Sequence, residues 1–201
     1  MNETKDSMQI AYFGYGSLVN DATRNKTGRS IPGRLKGFVR EWRIRSKDRS
    51  QNVCSLTAKP SIDNSIDGVL VFEHSSGLEA IDRREANYDR LDFPVVQFSS
   101  NSVLPESQAA YIYQAKSARY NWGDADHPIL QSYIDAVMQG FLNQFGEQGA
   151  FRFVQETDGW GAPILNDRDK PVYPRSVTLS PTEKQIIDQA LNEAGVHFLT
   201  G

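Results

Sequence analysis

Hydrophobic residues gather in short strand-length stretches through the first half of this chain and recur at helical spacing in the second. The strand-like stretches fall at 8–13, 38–46, 52–58 and 66–73, divided by turn-prone clusters at Ile31-Pro32-Gly33, Lys59 to Ser65 and Ser75-Ser76-Gly77. Shorter strands are expected at 94–99 and 109–114. Over 127–145 the apolar residues Ile129, Leu130, Tyr133, Ile134, Val137, Met138, Phe141, Leu142 and Phe145 follow the helical period, with Asp126 placed to cap and Pro128 in the first turn. A second helix is predicted over 181–195, where Ser180 and Glu183 form a capping box, Ile186, Ile187, Ala190 and Leu191 make the stripe, and Gly195 is the stop. A twisted or barrel-like mixed sheet with helices packed on it follows, and the class is α+β.

A third, shorter helix is predicted from Ser76 or Gly77 to about Tyr88. Leu78, Ile81, Glu85 and Tyr88 share one of its faces, while Glu79, Asp82, Arg83 and Arg84 occupy the sides that meet water. That phase turns one carboxyl group, Glu85, toward the protein. Two readings remain open at this point. Glu85 is either a buried structural partner of an arginine or tyrosine, with Arg40 and Tyr88 as candidates, or an acid/base group whose pKa desolvation lifts toward neutrality.

The first strand breaks into glycine at Ile10-Ala11-Tyr12-Phe13-Gly14-Tyr15-Gly16-Ser17-Leu18. Backbone N–H groups at such a break suit a small anion such as a carboxylate, and the polar residues after Val19 can feed a helix N-terminus. A plain tight turn is the other reading. Nucleotide phosphate is a poor fit. No Gly-Lys-Ser/Thr follows, and Val19 stands where a dinucleotide fingerprint needs its third glycine.

The 201 residues suffice for one cored domain, expected over 8–201 behind a polar, extended or disordered tail at 1–7. The net charge of −3 gives no field for nucleic acid, and the basic residues from Arg34 to Arg49 alternate with apolar ones as on the outer face of strands. No apolar run approaches the length of a membrane span, and no secretory signal opens the chain, so a cytoplasmic setting is expected. The one cysteine, Cys54, excludes an internal disulfide and reads as a strand-core residue. Asp124, Asp126 and His127 have the look of metal ligands, but Asp126 is accounted for as a helix cap and His127 as a first-turn residue, so no metal is expected. No serine sits in Gly-x-Ser-x-Gly. Trp160 and Arg175 lie in a Gly/Pro-rich stretch that either covers a pocket or forms a surface loop.

Taken together, Tyr12-Phe13-Gly14-Tyr15-Gly16-Ser17-Leu18 and Ile81-Asp82-Arg83-Arg84-Glu85-Ala86-Asn87-Tyr88 resemble the γ-glutamylcyclotransferase-like family. That family pairs a Tyr-Gly-Ser-Asn/Leu loop with a Leu-Asp-x-x-Glu helix. The likeness runs through Gly33 to Arg40, Gly68 to Phe72 and Tyr133 to Gly140, covering roughly residues 8–145. It implies a small mixed β-barrel flanked by helices, with a pocket at its mouth. It also implies a cofactor-independent enzyme that cyclises a γ-glutamyl amide to 5-oxoproline and a free amine.

In that frame Tyr15, Gly16, Ser17 and Leu18 bind the substrate and Glu85 is the acid/base catalyst. Tyr88, Arg40 and Tyr113 stand behind them. Leu18 in place of Asn resembles the glutathione-acting branch and bacterial members, while Ala86-Asn87 departs from the glycine frequent after the glutamate. The expected partner is a small γ-glutamyl molecule, with no nucleic acid and no membrane. A non-catalytic module that binds a γ-glutamyl-type ligand on the same fold is the alternative.

Overall fold

A computed structural model describes residues 9–24, 28–48, 51–107 and 109–199, and the expected tail at 1–7 lies outside them. Strands β1 (Gln9–Gly14), β2 (Arg29–Asp48), β3 (Gln51–His74), β4 (Tyr88–Asp92), β5 (Phe98–Ser99) and β6 (Ala110–Ala115) lie in the order β4-β6-β1-β3-β2-β5. The β1–β6 pair is parallel and the other neighbours on this path are antiparallel. Three two-residue strands complete the sheet: β7 (Ile129–Leu130), β8 (Thr157–Asp158) and β9 (Ile164–Leu165). The helices are α1 (Leu78–Arg84), α2 (Gln131–Gln155) and α3 (Pro181–Glu193).

The sheet curls into a half-barrel because its longest hairpin is not regular. β2 and β3 pair from Arg29↔Phe72 to Asp48↔Gln51, with register shifts between Lys36 and Phe38 and between Trp42 and Ile44. Such bulges bend a strand pair and add to its right-handed twist. At the first shift, positive-φ Gly37 lies opposite the extra residues between Pro60 and Ser65. The concave side is filled by α2, where Ile134, Val137, Met138 and Phe141 are fully buried. Among the described residues no helix is long and apolar enough to cross a membrane.

Several sequence expectations change. The cluster Ile31-Pro32-Gly33 is not a turn but lies inside β2, and the stretches expected at 38–46, 52–58 and 66–73 belong to two long strands. Half of the stretch expected as a strand at 94–99 is a 3₁₀ turn at Val95–Gln97, leaving only Phe98–Ser99 as strand. The helix expected at 127–145 begins at Gln131 and runs to Gln155 across a kink at Gly146, whose φ is 67°. Asp126 does not cap it. Asp126 sits in a turn organised by Asp124, and the first helical amides find their acceptor across the chain instead: Ser132 N–H donates to Asp167 Oδ1 at 2.7 Å. The capping box at Ser180 and Glu183 is present as expected, and Gly195 follows α3 with φ of 64°.

Candidate active site

The loop after β1 is built by close packing rather than by left-handed glycine. Neither Gly14 nor Gly16 has positive φ. A Cβ on Gly14 would lie 2.7 Å from the Leu18 Cβ, and one on Gly16 would lie 3.3 Å from both Leu56 Cδ2 and the Tyr133 hydroxyl. The chain then makes one 3₁₀ turn, Ser17–Val19, and no α-helix follows, so the expected helix N-terminus is absent. Val19 and Asn20 amides donate to the Gly16 and Ser17 carbonyls at 2.9 and 3.2 Å. The Ser17 and Leu18 amides have no backbone acceptor among the described residues. Asn20, itself buried, bolts this loop to α2 by donating to Ala136 O at 2.8 Å and Gln139 Oε1 at 3.1 Å.

Glu85 stands at the C-cap of α1, one residue beyond the helix, where its N–H closes the last turn on Ile81 O at 2.9 Å. The expected continuation to Tyr88 does not occur, because the chain turns at Ala86-Asn87 and Tyr88 opens β4. The predicted phase misplaced Arg84, which is the last helical residue and, three positions after Ile81, borders the apolar face. Arg84 is not a solvent residue: its side chain and that of Glu85 are each 16% exposed, with Arg84 Nε 3.1 Å from Glu85 Oε1. The same guanidinium donates to Thr23 O at 2.9 Å and to Ser17 Oγ at 3.4 Å. One side chain therefore spans from the carboxyl group to the glycine loop.

A cleft of about 170 Å³ opens here, with Ser17, Arg84, Glu85, Tyr133, Tyr173 and Arg175 in its walls, and Cys54 and Tyr88 also contribute. Burial raises the Glu85 pKa above the ordinary carboxyl value, and the positive charges of Arg84 and Arg175 oppose that rise without cancelling it. The result is a carboxyl group that holds its proton more firmly than usual yet retains a counter-cation for its ionised form. Cys54 is no competitor as a nucleophile, since burial pushes its thiol up to about 12.

Of the other expected residues, Tyr88 alone stands in the wall of this cleft. Tyr15 is buried and points its hydroxyl away from the cleft, donating to Tyr113 O at 2.5 Å. Tyr113 in turn donates to Asp82 Oδ1 at 2.7 Å, holding α1 rather than Glu85. Leu18 is buried and lines a neighbouring cleft. Tyr88 lines the cleft but donates to Leu56 O at 2.8 Å. Arg40 is not the partner of Glu85. It is fully buried against the Phe141 and Phe153 rings, donates to Asp67 O at 2.8 Å and Thr157 Oγ1 at 3.3 Å, and is pushed down to about 10 by burial.

Sequence reasoning did not single out Tyr133 or Tyr173 for the site. Tyr133 reads as one more member of an apolar stripe, and only its position opposite the glycine loop reveals it. Tyr173 and Arg175 reach the cleft because Asp167 Oδ2 accepts from Val172 N–H at 2.8 Å while its other oxygen caps α2, fixing the strap that carries them. The Tyr133 and Tyr173 rings then meet with centroids 4.8 Å apart.

This curled half-barrel with three helices is the γ-glutamyl cyclotransferase fold. The chain is similar to a solved structure named γ-glutamyl cyclotransferase, with a TM-score of 0.59 and 15% identity over 90% of this chain and 99% of that one. An uncharacterised human protein, loc79017, superposes with a TM-score of 0.57, also at 15% identity, over 90% of this chain and 99% of the other. YkqA from Bacillus subtilis gives a TM-score of 0.52 at 16% identity, with 75% of this chain and 56% of that chain covered. No protein-family model and no curated protein matches the sequence.

Proposed function

We propose that this protein cyclises a γ-glutamyl amide, releasing 5-oxoproline and a free amine, with Glu85 as general acid/base. The observation that carries the reading is the placement of a water-shielded carboxyl group within one guanidinium's span of a loop whose Ser17 and Leu18 amides have no backbone acceptor among the described residues. Arg84 fixes that separation. The Ser17 and Leu18 amides suit the substrate α-carboxylate, and the bent substrate then presents its α-nitrogen to Glu85.

Glu85 takes a proton from the α-ammonium, the freed amine attacks the γ-carbonyl carbon, and a five-membered ring closes. The tetrahedral intermediate collapses by breaking the bond from the γ-carbon to the amide nitrogen. The proton held on Glu85 passes to that departing nitrogen, and the surplus proton of the ring nitrogen follows through the same carboxylate to the released amine, which leaves as its ammonium, so the carboxylate is regenerated and no external nucleophile is consumed. A raised pKa suits both halves of this exchange, since the group must accept and return a proton near neutrality.

Glu85→Gln preserves the shape and removes the proton shuttle. The variant is expected to unfold at a temperature near that of the wild type. Mass spectrometry on γ-glutamyl amino acids, glutathione and γ-glutamyl amines is expected to show 5-oxoproline release falling by ~10²–10⁴-fold, the usual worth of general acid/base participation. Undiminished turnover would remove Glu85 from this role. Tight binding of these compounds by the wild type with no turnover of any would favour a binding module on the same fold.

A further inference from the structure

The first turns of α2 bury polar residues as well as apolar ones. Ile134, Val137 and Met138 fill the concave side of the sheet, yet Gln131, Ser132 and Asp135 are also buried. Positions 131, 135 and 139 share one side of the helix, each four residues from the next. Polar groups taken from water there need partners, and the strap over 167–179, which brings Tyr173 and Arg175 to the Glu85 cleft, supplies them.

One end of the strap is held twice. Asp167 accepts from the Ser132 hydroxyl at 2.5 Å as well as from the Ser132 and Val172 amides. Arg168 makes a forked pair with Asp135, Nε to Oδ2 at 2.7 Å and Nη2 to Oδ1 at 2.8 Å, and its Nη1 reaches Asp188 Oδ1 of α3 at 2.6 Å. Gln131 Nε2 also donates to Asp135 Oδ1, at 2.7 Å. The other end is held by Gln139, which donates to Thr178 O at 3.1 Å. Between them Pro174, Arg175 and Ser176 are exposed. The tip has two hydrogen bonds among the described residues, from Tyr173 N–H to Ser132 Oγ at 3.3 Å and from Ser176 N–H to Tyr173 O at 3.1 Å. Its place is therefore set from its ends.

Resting on the cyclisation proposed above, we infer that Arg168 is a positioning residue for it: by clasping Asp135 of α2 and Asp188 of α3, it seats the strap so that Tyr173 and Arg175 wall the Glu85 cleft. The fork matters here more than the charge, since a guanidinium grips two carboxylates at once where an ammonium acts as a single point. α3 contributes no residue to the wall of that cleft, yet through Asp188 it bears on the acid.

Glu85 itself reports where the strap lies. The charges it meets are Arg84 and Arg175. Burial holds Tyr12, Tyr15, Cys54, Tyr88 and Tyr133 around it in their neutral forms, and Tyr173 completes the wall. Carbon-13 NMR of the Glu85 carboxyl carbon thus reads the position of Arg175 without need of turnover. Arg175→Gln is expected to move that titration upward, and Arg168→Lys, which keeps the charge and gives up the fork, is expected to move it the same way. In the Arg175→Gln protein, Arg168→Lys is expected to add nothing, because the one acts through the other. A titration left in place by either single variant overturns the proposal, and so do displacements that add in the double variant. Where Arg168→Lys fails to fold, Asp188→Asn releases α3 and leaves the fork on Asp135 intact. An upward displacement by Asp188→Asn that vanishes in the Arg175→Gln background supports the clasp, and no displacement overturns it. The kcat/KM of Arg168→Lys for 5-oxoproline release is expected to fall by up to ~10²-fold, as for a small misplacement imposed from outside a site. Undiminished kcat/KM alongside a displaced titration overturns the role in turnover. Absence of 5-oxoproline from every compound with the wild type overturns the cyclisation instead, and the NMR titrations still decide whether Arg168 seats the strap.

Discussion

Arg84→Met isolates the electrostatic balance at the site, because methionine keeps much of the stem and removes only the charged fork. Burial raises the Glu85 pKa while Arg84 is the largest influence holding it down. A contact of 3.1 Å is worth up to about 5 kcal/mol at an effective dielectric near 20. Arg175 remains after the substitution and the pair is not wholly dry, so only part of that attraction is realised as a displacement of the Glu85 titration. The direction is upward. Carbon-13 NMR titration of the Glu85 carboxyl carbon reads it without reference to activity, and the acid limb of kcat/KM for 5-oxoproline release is expected to move the same way. Stability gives an independent check. Because the folded-state value lies above the unfolded one, the unfolded chain loses its proton first, and stability falls as pH rises from the unfolded value through the folded one. Arg84→Met widens that window upward. A Glu85 titration that stays in place or moves down refutes the assignment of Arg84 as the controlling charge.

Two further substitutions probe the frame that holds the site. Gly14→Ala drives a methyl group to 2.7 Å from the Leu18 Cβ and 3.1 Å from the Leu18 carbonyl carbon. The loop must shift, and denaturant unfolding is expected to show a loss of about 1–3 kcal/mol with a parallel drop in turnover; unchanged stability would mean the loop yields freely. Phe141→Ala empties a fully buried position that stacks between Phe145 and Phe153 and lies 4.9 Å from the Arg40 guanidinium. The expected loss is about 3–5 kcal/mol in the same assay, and a loss under 1 kcal/mol would show that the site collapses around the gap.

The parts of the molecule legible in the sequence are those set by local chemistry. Ser180, Pro181 and Glu183 announce the start of α3 because a capping box is complete within four residues. β1 is legible because its apolar run ends in glycine. The long hairpin is hidden by Pro32-Gly33, which locally spell a turn. Pro32 is tolerated inside β2 because it pairs with Val69 on one side only, β5 meeting that strand at Arg34 and Leu35, while Gly33 makes room for the Phe98 ring, whose Cε2 would lie 2.8 Å from a Cβ there. The N-terminal cap of α2 comes from Asp167, thirty-five positions away along the chain, and no local pattern reveals it.

Several side chains of the candidate cleft were legible in the sequence, and their wiring was not. Glu85 reads as inward-facing from the spacing of Leu78 and Ile81, yet the reading sends Arg84 to water, because dividing a helix into two faces overlooks a long side chain at the border, three positions after Ile81. The helix stops at Arg84, and the two consecutive residues meet in one cleft as an ion pair. The Tyr15-Gly16-Ser17 motif reads as a ligand loop, but its tyrosine serves as a tie.

That tie explains how loop and acid keep their separation. Tyr15 hangs the glycine loop on the Tyr113 carbonyl of β6, and the Tyr113 hydroxyl holds Asp82 of α1 three residues before Glu85. Both arms of the site are therefore hung from one residue of β6, which pairs in parallel with β1 at Ala11, Tyr12 and Phe13. The distance between the Ser17 and Leu18 amides and the carboxyl group is then set twice, once through the sheet and once across Arg84. Burial draws Glu85 toward its protonated form, and the arginine draws it toward its ionised form. With the two opposed and the geometry fixed from behind, the carboxyl group can change protonation state without moving the loop that faces it.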